Sequence, residues 1–77
     1  MAQVAIALGS NLGERHLYLD RAVERLRGLP RLWLQRVSSY YETAPVGGPS
    51  DSGAYLNATA LGETSLSPQE LLAKLLM

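Results

Sequence analysis

Ala54-Tyr55-Leu56-Asn57-Ala58-Thr59-Ala60-Leu61 is the stretch that decides how this chain folds. Its residues alternate with the two-residue period of a strand. Leu56, Ala58 and Ala60 share one face, small and apolar. Tyr55, Asn57, Thr59 and Leu61 share the other. Asn is disfavoured in strands, so Asn57 is expected there for its hydrogen bonds. A ring beside a carboxamide suits a flat heterocycle, because the ring stacks and the amide both donates and accepts. By themselves the two residues fit an ordinary strand equally well.

Upstream lies Glu42-Thr43-Ala44-Pro45-Val46-Gly47-Gly48-Pro49-Ser50-Asp51-Ser52-Gly53. A loop of more than about 10 residues is uncommon in a compact domain and is often functional. Before it, Leu32 to Tyr41 reads as one strand with Trp33, Leu34, Val37, Tyr40 and Tyr41 as bulky residues. The pattern leaves its register open. Tyr40 and Tyr41 fit ordinary strand aromatics, one facing in and one facing out.

Working further outward, a helix is expected from about Glu14 to Arg27, with Leu19, Ala22, Val23, Leu26 and then Leu29 as the buried stripe. Ser10 and Asn11 are expected to cap it, and Gly28 with Pro30 to stop it. Gln3 to Leu8 is a short apolar run that reads as a buried, central strand. Gly9-Ser10-Asn11-Leu12-Gly13 joins the two. It reads as a tight turn, with anion binding at the helix N-terminus a weaker alternative.

After the deciding strand, Ser67-Pro68-Gln69-Glu70 is a helix start: an N-cap, proline at the first helical position and a capping box. Leu66 is placed to staple against Leu71. Leu71, Leu72, Leu75 and Leu76 are expected to share the buried face. The helix then runs to Met77 with no Gly, polar exit or cap, which reads as a fragment or an early stop.

The order is strand, helix, strand, strand, helix. The expected class is α/β (α+β), a ferredoxin-like half: a three-stranded antiparallel sheet with two helices on one face. The missing fourth strand of that topology would leave Val4 to Leu8 as an open edge. It carries neither Pro nor charge, so the chain is expected to be a homo-oligomer.

The composition narrows the function classes. The chain has 77 residues, seven basic and seven acidic, and no net charge. A general nucleic-acid binder needs a basic patch, so none is expected as partner. No apolar run approaches the ~18 residues of a membrane span, and residues 1–8 lack the features of a secretory signal. The reading is a soluble cytoplasmic protein. There is no cysteine, which removes disulfides and thiolate metal sites. His16 is the one histidine and reads as an exposed surface residue. The carboxylates are scattered, so no metal site is expected.

Four motifs in series resemble one family. They are Gly9-Ser10-Asn11-Leu12-Gly13 after an apolar strand, Val37-Ser38-Ser39-Tyr40-Tyr41-Glu42-Thr43-Ala44-Pro45-Val46-Gly47, Tyr55-Leu56-Asn57-Ala58, and Ser67-Pro68-Gln69-Glu70-Leu71-Leu72. In order and spacing they are similar to the N-terminal half of 6-hydroxymethyl-7,8-dihydropterin pyrophosphokinase. The resemblance implies pyrophosphoryl transfer from ATP, with Mg²⁺, to a pterin hydroxymethyl group on the route to folate. It makes Tyr55 one stacking wall and Asn57 the amide that reads the pterin edge. It gives Thr43, Ala44 and Val46 mainly backbone contacts. Ala44 stands where the family often has Pro. Gly9, Ser10 and Asn11 shape the pocket rather than do chemistry. The family's metal-binding carboxylate pair, phosphate-binding arginines, histidine and second aromatic wall come later than Met77. No catalytic residue is therefore expected within the chain, and it is expected to be inactive alone. The competing expectation is a non-catalytic small α/β module that assembles through its open edge.

Overall fold

A computed structural model of the chain describes residues 1–44 and 53–76. Most of the expected long loop, residues 45–52, lies outside them, and Val46 with it. The elements are β1 (Ala2–Ser10), α1 (Arg15–Arg27), β2 (Leu32–Val37), β3 (Tyr41–Thr43), β4 (Tyr55–Thr64) and α2 (Pro68–Leu75).

The sheet is antiparallel and built on β4. Along one side of it lies β1, from Ala2 opposite Thr64 to Ser10 opposite Leu56. Along the other side lie β2, with Leu32 opposite Thr64 and Val37 opposite Ala60, and β3, with Tyr41 opposite Asn57 and Thr43 opposite Tyr55. The α+β class holds. The expected three strands become four, so the expected ferredoxin-like half is not matched in detail. The single strand expected from Leu32 to Tyr41 is broken in two, and its chemistry shows why. The register shifts between Leu34 and Arg36, which leaves Gln35 as the extra residue of a bulge. Ser38 N then donates to Thr59 O at 2.9 Å, but Thr59 N donates to the Ser38 hydroxyl at 2.9 Å. A side chain has replaced the backbone acceptor. Tyr40 turns away and its hydroxyl donates to Asp20 of α1 at 2.5 Å.

The bulge also answers the question of register. It changes the parity of β2, so Leu32, Leu34 and Val37 all join the core. Ile6, Leu26, Leu32 and Ala60 form its buried centre, with Val4, Leu8, Leu29 and Leu75 packed around them. Each fully buried Leu or Ile contributes about 1.5–3 kcal/mol. Leu26 of α1 and Leu75 of α2 meet the same cluster, so both helices cover one face, as expected.

The α1 stripe is as read, with Leu19, Val23 and Leu26 buried and Ala22 and Leu29 half-buried. Its N-terminus is not. Ser10 is still paired in β1, and Glu14 sits at the N-cap without a side-chain hydrogen bond. The turn is made by Gly13 at φ +57°. At the far end, Gly28 keeps a right-handed conformation and Arg31 takes the left-handed one at φ +67°. That costs a non-glycine residue about 1–2 kcal/mol. In return the Arg31 carbonyl accepts from the Thr64 hydroxyl at 2.7 Å and from Ser65 N at 3.2 Å. Thr64, buried, also accepts from Leu66 N at 3.0 Å.

The α2 capping box is complete. Glu70 N donates to Ser67 Oγ at 3.1 Å, and Ser67 N donates to Glu70 Oε1 at 2.9 Å. The hydrogen bond from the Ser67 backbone, then that from its side chain, aided by Arg31 and Lys74, hold the Glu70 carboxyl below its usual pKa. Leu66 and Leu71 are both buried. Leu72 and Leu76 are not, at 57% and 78% exposed. In a helix of eight residues, Leu71 and Leu75 already face the sheet, and the other two leucines are turned off that line.

β1 stands as the open edge expected of the chain, not as the central strand that its apolar run suggests by itself. Among the described residues β1 has a strand partner on one side only. Apolar hollows of about 470 and 510 Å³ flank it, one beside Leu26, Leu29 and Leu75, the other beside Leu66, Leu71 and Leu72.

At Gly62 the β2 backbone lies close against β4. A Cβ there would stand 2.5 Å from the Trp33 carbonyl oxygen, which is backbone. Elsewhere in a strand, Gly→Ala gains about 0.5–1 kcal/mol of conformational entropy. Here overpacking of about 1–3 kcal/mol outweighs it. Gly62→Ala is therefore expected to lower the urea midpoint with an unchanged m-value; an unchanged or higher midpoint would mean that β2 yields without cost.

Candidate functional site

The face of the sheet opposite the helices is uncovered among the described residues. Trp33, Tyr41, Tyr55 and Leu61 lie on it, at 50%, 48%, 39% and 43% exposed. The register sorts the expected site residues. Asn57 pairs with Gly9 on one side and with Tyr41 on the other. Thr43 pairs with Tyr55. Gly9, Tyr41, Thr43, Tyr55 and Asn57 thus share the open face at one end of the sheet.

Asn57 is the centre of this group. Its Nδ2 donates to Thr43 Oγ1 at 2.8 Å and to the Tyr41 carbonyl at 3.2 Å. Both hydrogens of the amide nitrogen are therefore spoken for. Oδ1 points towards β1, where a Cβ on residue 9 would be 3.2 Å from it. The same Cβ would lie 3.7 Å from Cδ1 of the Tyr55 ring. Gly9 thus leaves room for both groups. Among the described residues the group offers the Tyr55 ring face and the Asn57 Oδ1 acceptor.

The other expected residues fall differently. Ser10 pairs with Leu56, so it belongs to the helix-covered face and not to the Tyr55–Asn57 group. Asn11 is close to the end of the loop, its carbonyl 3.5 Å from where a Gly53 Cβ would be. Ala44 is exposed at the end of β3. Val46 is outside the described residues.

Two neighbours were not expected. Tyr41 supplies both a carbonyl to Asn57 and an exposed ring on the site face. Arg15 supports the same region from the helix side. Its Nη1 donates to the Ala54 carbonyl at 2.8 Å, and its Nη2 to Glu42 Oε1 at 2.6 Å. The signal in the sequence was slight: an arginine at a helix start and a glutamate ahead of a long loop.

His16 is exposed, as expected. Its ring centroid is 6.0 Å from that of Tyr40. Among the described residues no three of His, Cys, Asp and Glu gather as a metal site, and no helix is long and apolar enough to cross a membrane.

Residues 5–77 match the family model described as 7,8-dihydro-6-hydroxymethylpterin-pyrophosphokinase. Among curated relatives, the chain is 48% identical over 67 residues to 2-amino-4-hydroxy-6-hydroxymethyldihydropteridine pyrophosphokinase of Bacillus subtilis, covering 87% of this chain and 40% of that protein. It is 40% identical over 75 residues to the Aquifex aeolicus protein of the same name, covering 97% and 45%. A mitochondrial folate synthesis bifunctional protein of Arabidopsis thaliana is 44% identical over 75 residues, covering 95% of this chain and 13% of that protein. The chain spans less than half the length of these relatives.

Tyr40 gives this region a pH signature. The hydrogen bond to Asp20, then burial, then the charge of Asp20 push its phenol up from 10.0 to about 12. The neutral phenol is the form that the fold favours. Its contribution to stability is full below about pH 10 and is lost as pH rises through about 12. In an absorbance titration of the folded chain, one of the four tyrosines is expected to ionise last, near pH 12. Asp20→Asn is expected to bring that step back towards 10. Four tyrosines titrating together in the folded chain would contradict the Tyr40–Asp20 bond.

Proposed function

Because this chain belongs to the 7,8-dihydro-6-hydroxymethylpterin-pyrophosphokinase family, we propose that it provides the pterin-binding part of such an enzyme. The observation that carries the reading is the Gly9–Tyr55–Asn57 group. The Tyr55 ring is the stacking wall for the flat bicycle. Asn57 Oδ1 accepts from an N–H on the pterin edge, while Nδ2 stays with Thr43 and Tyr41. The backbone of Thr43 and Ala44 borders the ring. Gly9, in β1, leaves the space; Ser10 and Asn11 shape it through the backbone. The reaction is pyrophosphoryl transfer from ATP to the pterin hydroxymethyl group, in the cytoplasm, on the route to folate.

ATP and Mg²⁺ belong to that reaction. The described residues do not fit the metal, since they bring no cluster of carboxylates together. No step is assigned to it. Phosphoryl transfer is nearly all positioning and charge neutralisation. The 77-residue chain by itself is therefore expected to bind and not to catalyse.

A calorimetric titration with 6-hydroxymethylpterin tests the reading. Weak binding is expected, and Asn57→Ala is expected to weaken it by about 1–3 kcal/mol, the cost of an unpaired polar group. With ATP, Mg²⁺ and the dihydropterin, no AMP is expected. Equal affinity of wild type and Asn57→Ala would remove Asn57 from the site, and AMP formed in proportion to the chain would overturn the inactivity.

A second reading rests on β1. Its outer edge has no partner strand among the described residues, and Ala2 to Leu8 hold no Pro and no charge to blunt it. In this reading the chain is a non-catalytic module that pairs β1 with β1 of a second copy across a two-fold axis. Light scattering at micromolar concentration is expected to show a dimer, and Ala5→Lys, an exposed position on β1, to dissociate it. A folded monomer under these conditions would remove the reading.

A further inference from the structure

We propose that Arg15 is a positioning residue for the pterin site, a two-point clamp that fixes the spacing between its two strands. The proposal rests on the pterin reading above. One guanidinium holds two segments far apart in sequence, the carboxylate of Glu42 at 2.6 Å and the carbonyl of Ala54 at 2.8 Å. Glu42 immediately precedes Thr43, and Ala54 immediately precedes Tyr55. Thr43 is the last residue of β3, and Tyr55, opposite it, is the first of β4. The clamp therefore straddles the Thr43–Tyr55 pair, holding the residue inside it on β3 and the residue just beyond it ahead of β4.

The geometry requires arginine. A planar fork presents two donors at fixed spacing to two acceptors at once. The Arg15 side chain is only 25% exposed, so water competes with these bonds less than on an open surface. β3 has three residues, too few to hold itself in register. Its other ties are the ladder to β4 and the Asn57 amide. On the open face Asn57 pins Thr43 from above; on the helix side Arg15 pins Glu42 from below. Without Arg15, Thr43 and Tyr55 lose their fixed separation. The Tyr55 ring and Asn57 Oδ1 then no longer present one fixed target. Arg15 contacts no ligand in this scheme and acts only through Glu42 and Ala54.

The test compares wild type, Arg15→Ala and Arg15→Lys by backbone amide exchange and by calorimetry with 6-hydroxymethylpterin. In Arg15→Ala, exchange is expected to quicken about 10-fold at residues 41–43 and 55–57, with Ile6 and Ala60 unchanged. Pterin affinity is expected to fall about 10-fold, which is about 1.4 kcal/mol. Arg15→Lys, which keeps the charge but reaches one acceptor at a time, is expected to recover part of both effects. A general structural role would instead quicken exchange at Ile6 and Ala60 as well, and that result overturns the proposal. So does unchanged exchange at residues 41–43 and 55–57. If the wild type binds no pterin, the pterin reading fails and the role towards it fails too; the exchange data then still decide whether the clamp exists.

Discussion

The structure depends on β4 being paired along both edges while its two faces do different work. β1 takes one edge, and β2 with β3 take the other. Leu56, Ala58, Ala60, Gly62 and Thr64 are buried under the helices. Tyr55, Asn57, Thr59, Leu61 and Glu63 face the other way. A slip of one residue would exchange the two sets. It would put Asn57 and Glu63 into the core, unpaired, so the register that builds the core also fixes the site. The small residues serve the same end. Ala58 and Ala60 are nearly inaccessible, and Gly62 leaves open the place where a Cβ would stand 2.5 Å from the Trp33 carbonyl oxygen.

The two ends of β4 are secured by different means. At the Thr64 end, the left-handed Arg31 turns its carbonyl to meet Thr64 and Ser65, and its side chain donates to Ser65 and approaches Glu70 of the α2 cap. The Arg31–Glu70 pair, at 3.6 Å and half exposed, adds little in itself. Most of the restraint is hydrogen bonding to backbone. At the Tyr55 end there is no such knot. The Asn57 amide and the Arg15 guanidinium hold three residues of β3 in place. That end carries the exposed Tyr55 ring and an Asn57 Oδ1 that has no hydrogen-bond partner among the described residues, so the same polar groups order the strand and leave one acceptor open.

Much of this was legible in the sequence wherever the signal was local. The capping box of α2 needs four consecutive residues. The stripe of α1 and the alternation of β4 need only a period. What escaped depends on contacts between distant residues. The bulge at Gln35 exists because Leu34 and Val37 must both reach the core. The break after Ser38 exists because a hydroxyl can stand in for a carbonyl and because Asp20 draws Tyr40 away. Ser10 does not cap α1, since β1 runs longer than its apolar run. Leu72 and Leu76 fit a buried stripe by spacing, but a short helix presents fewer leucines to the sheet than it carries. The face of Tyr55 and Asn57 was legible; that Ser10 lies on the opposite face was not, because it depends on the β1–β4 register. The Arg15–Glu42 pair joins residues 27 apart, and no spacing rule announces it.

The central claim is that the open face at the Tyr55 end of β4 is a ligand site, set apart from the core by strand alternation. The most direct measurement is a nuclear magnetic resonance titration of the isotopically labelled chain with 6-hydroxymethylpterin. The account predicts shifts at Gly9, Tyr41, Thr43, Tyr55 and the Asn57 side-chain amide, with Ala58, Ala60 and the α1 leucines nearly still. Shifts that instead follow Ile6, Leu26 and Leu75 beside the free edge of β1, or no shifts at all, would contradict it.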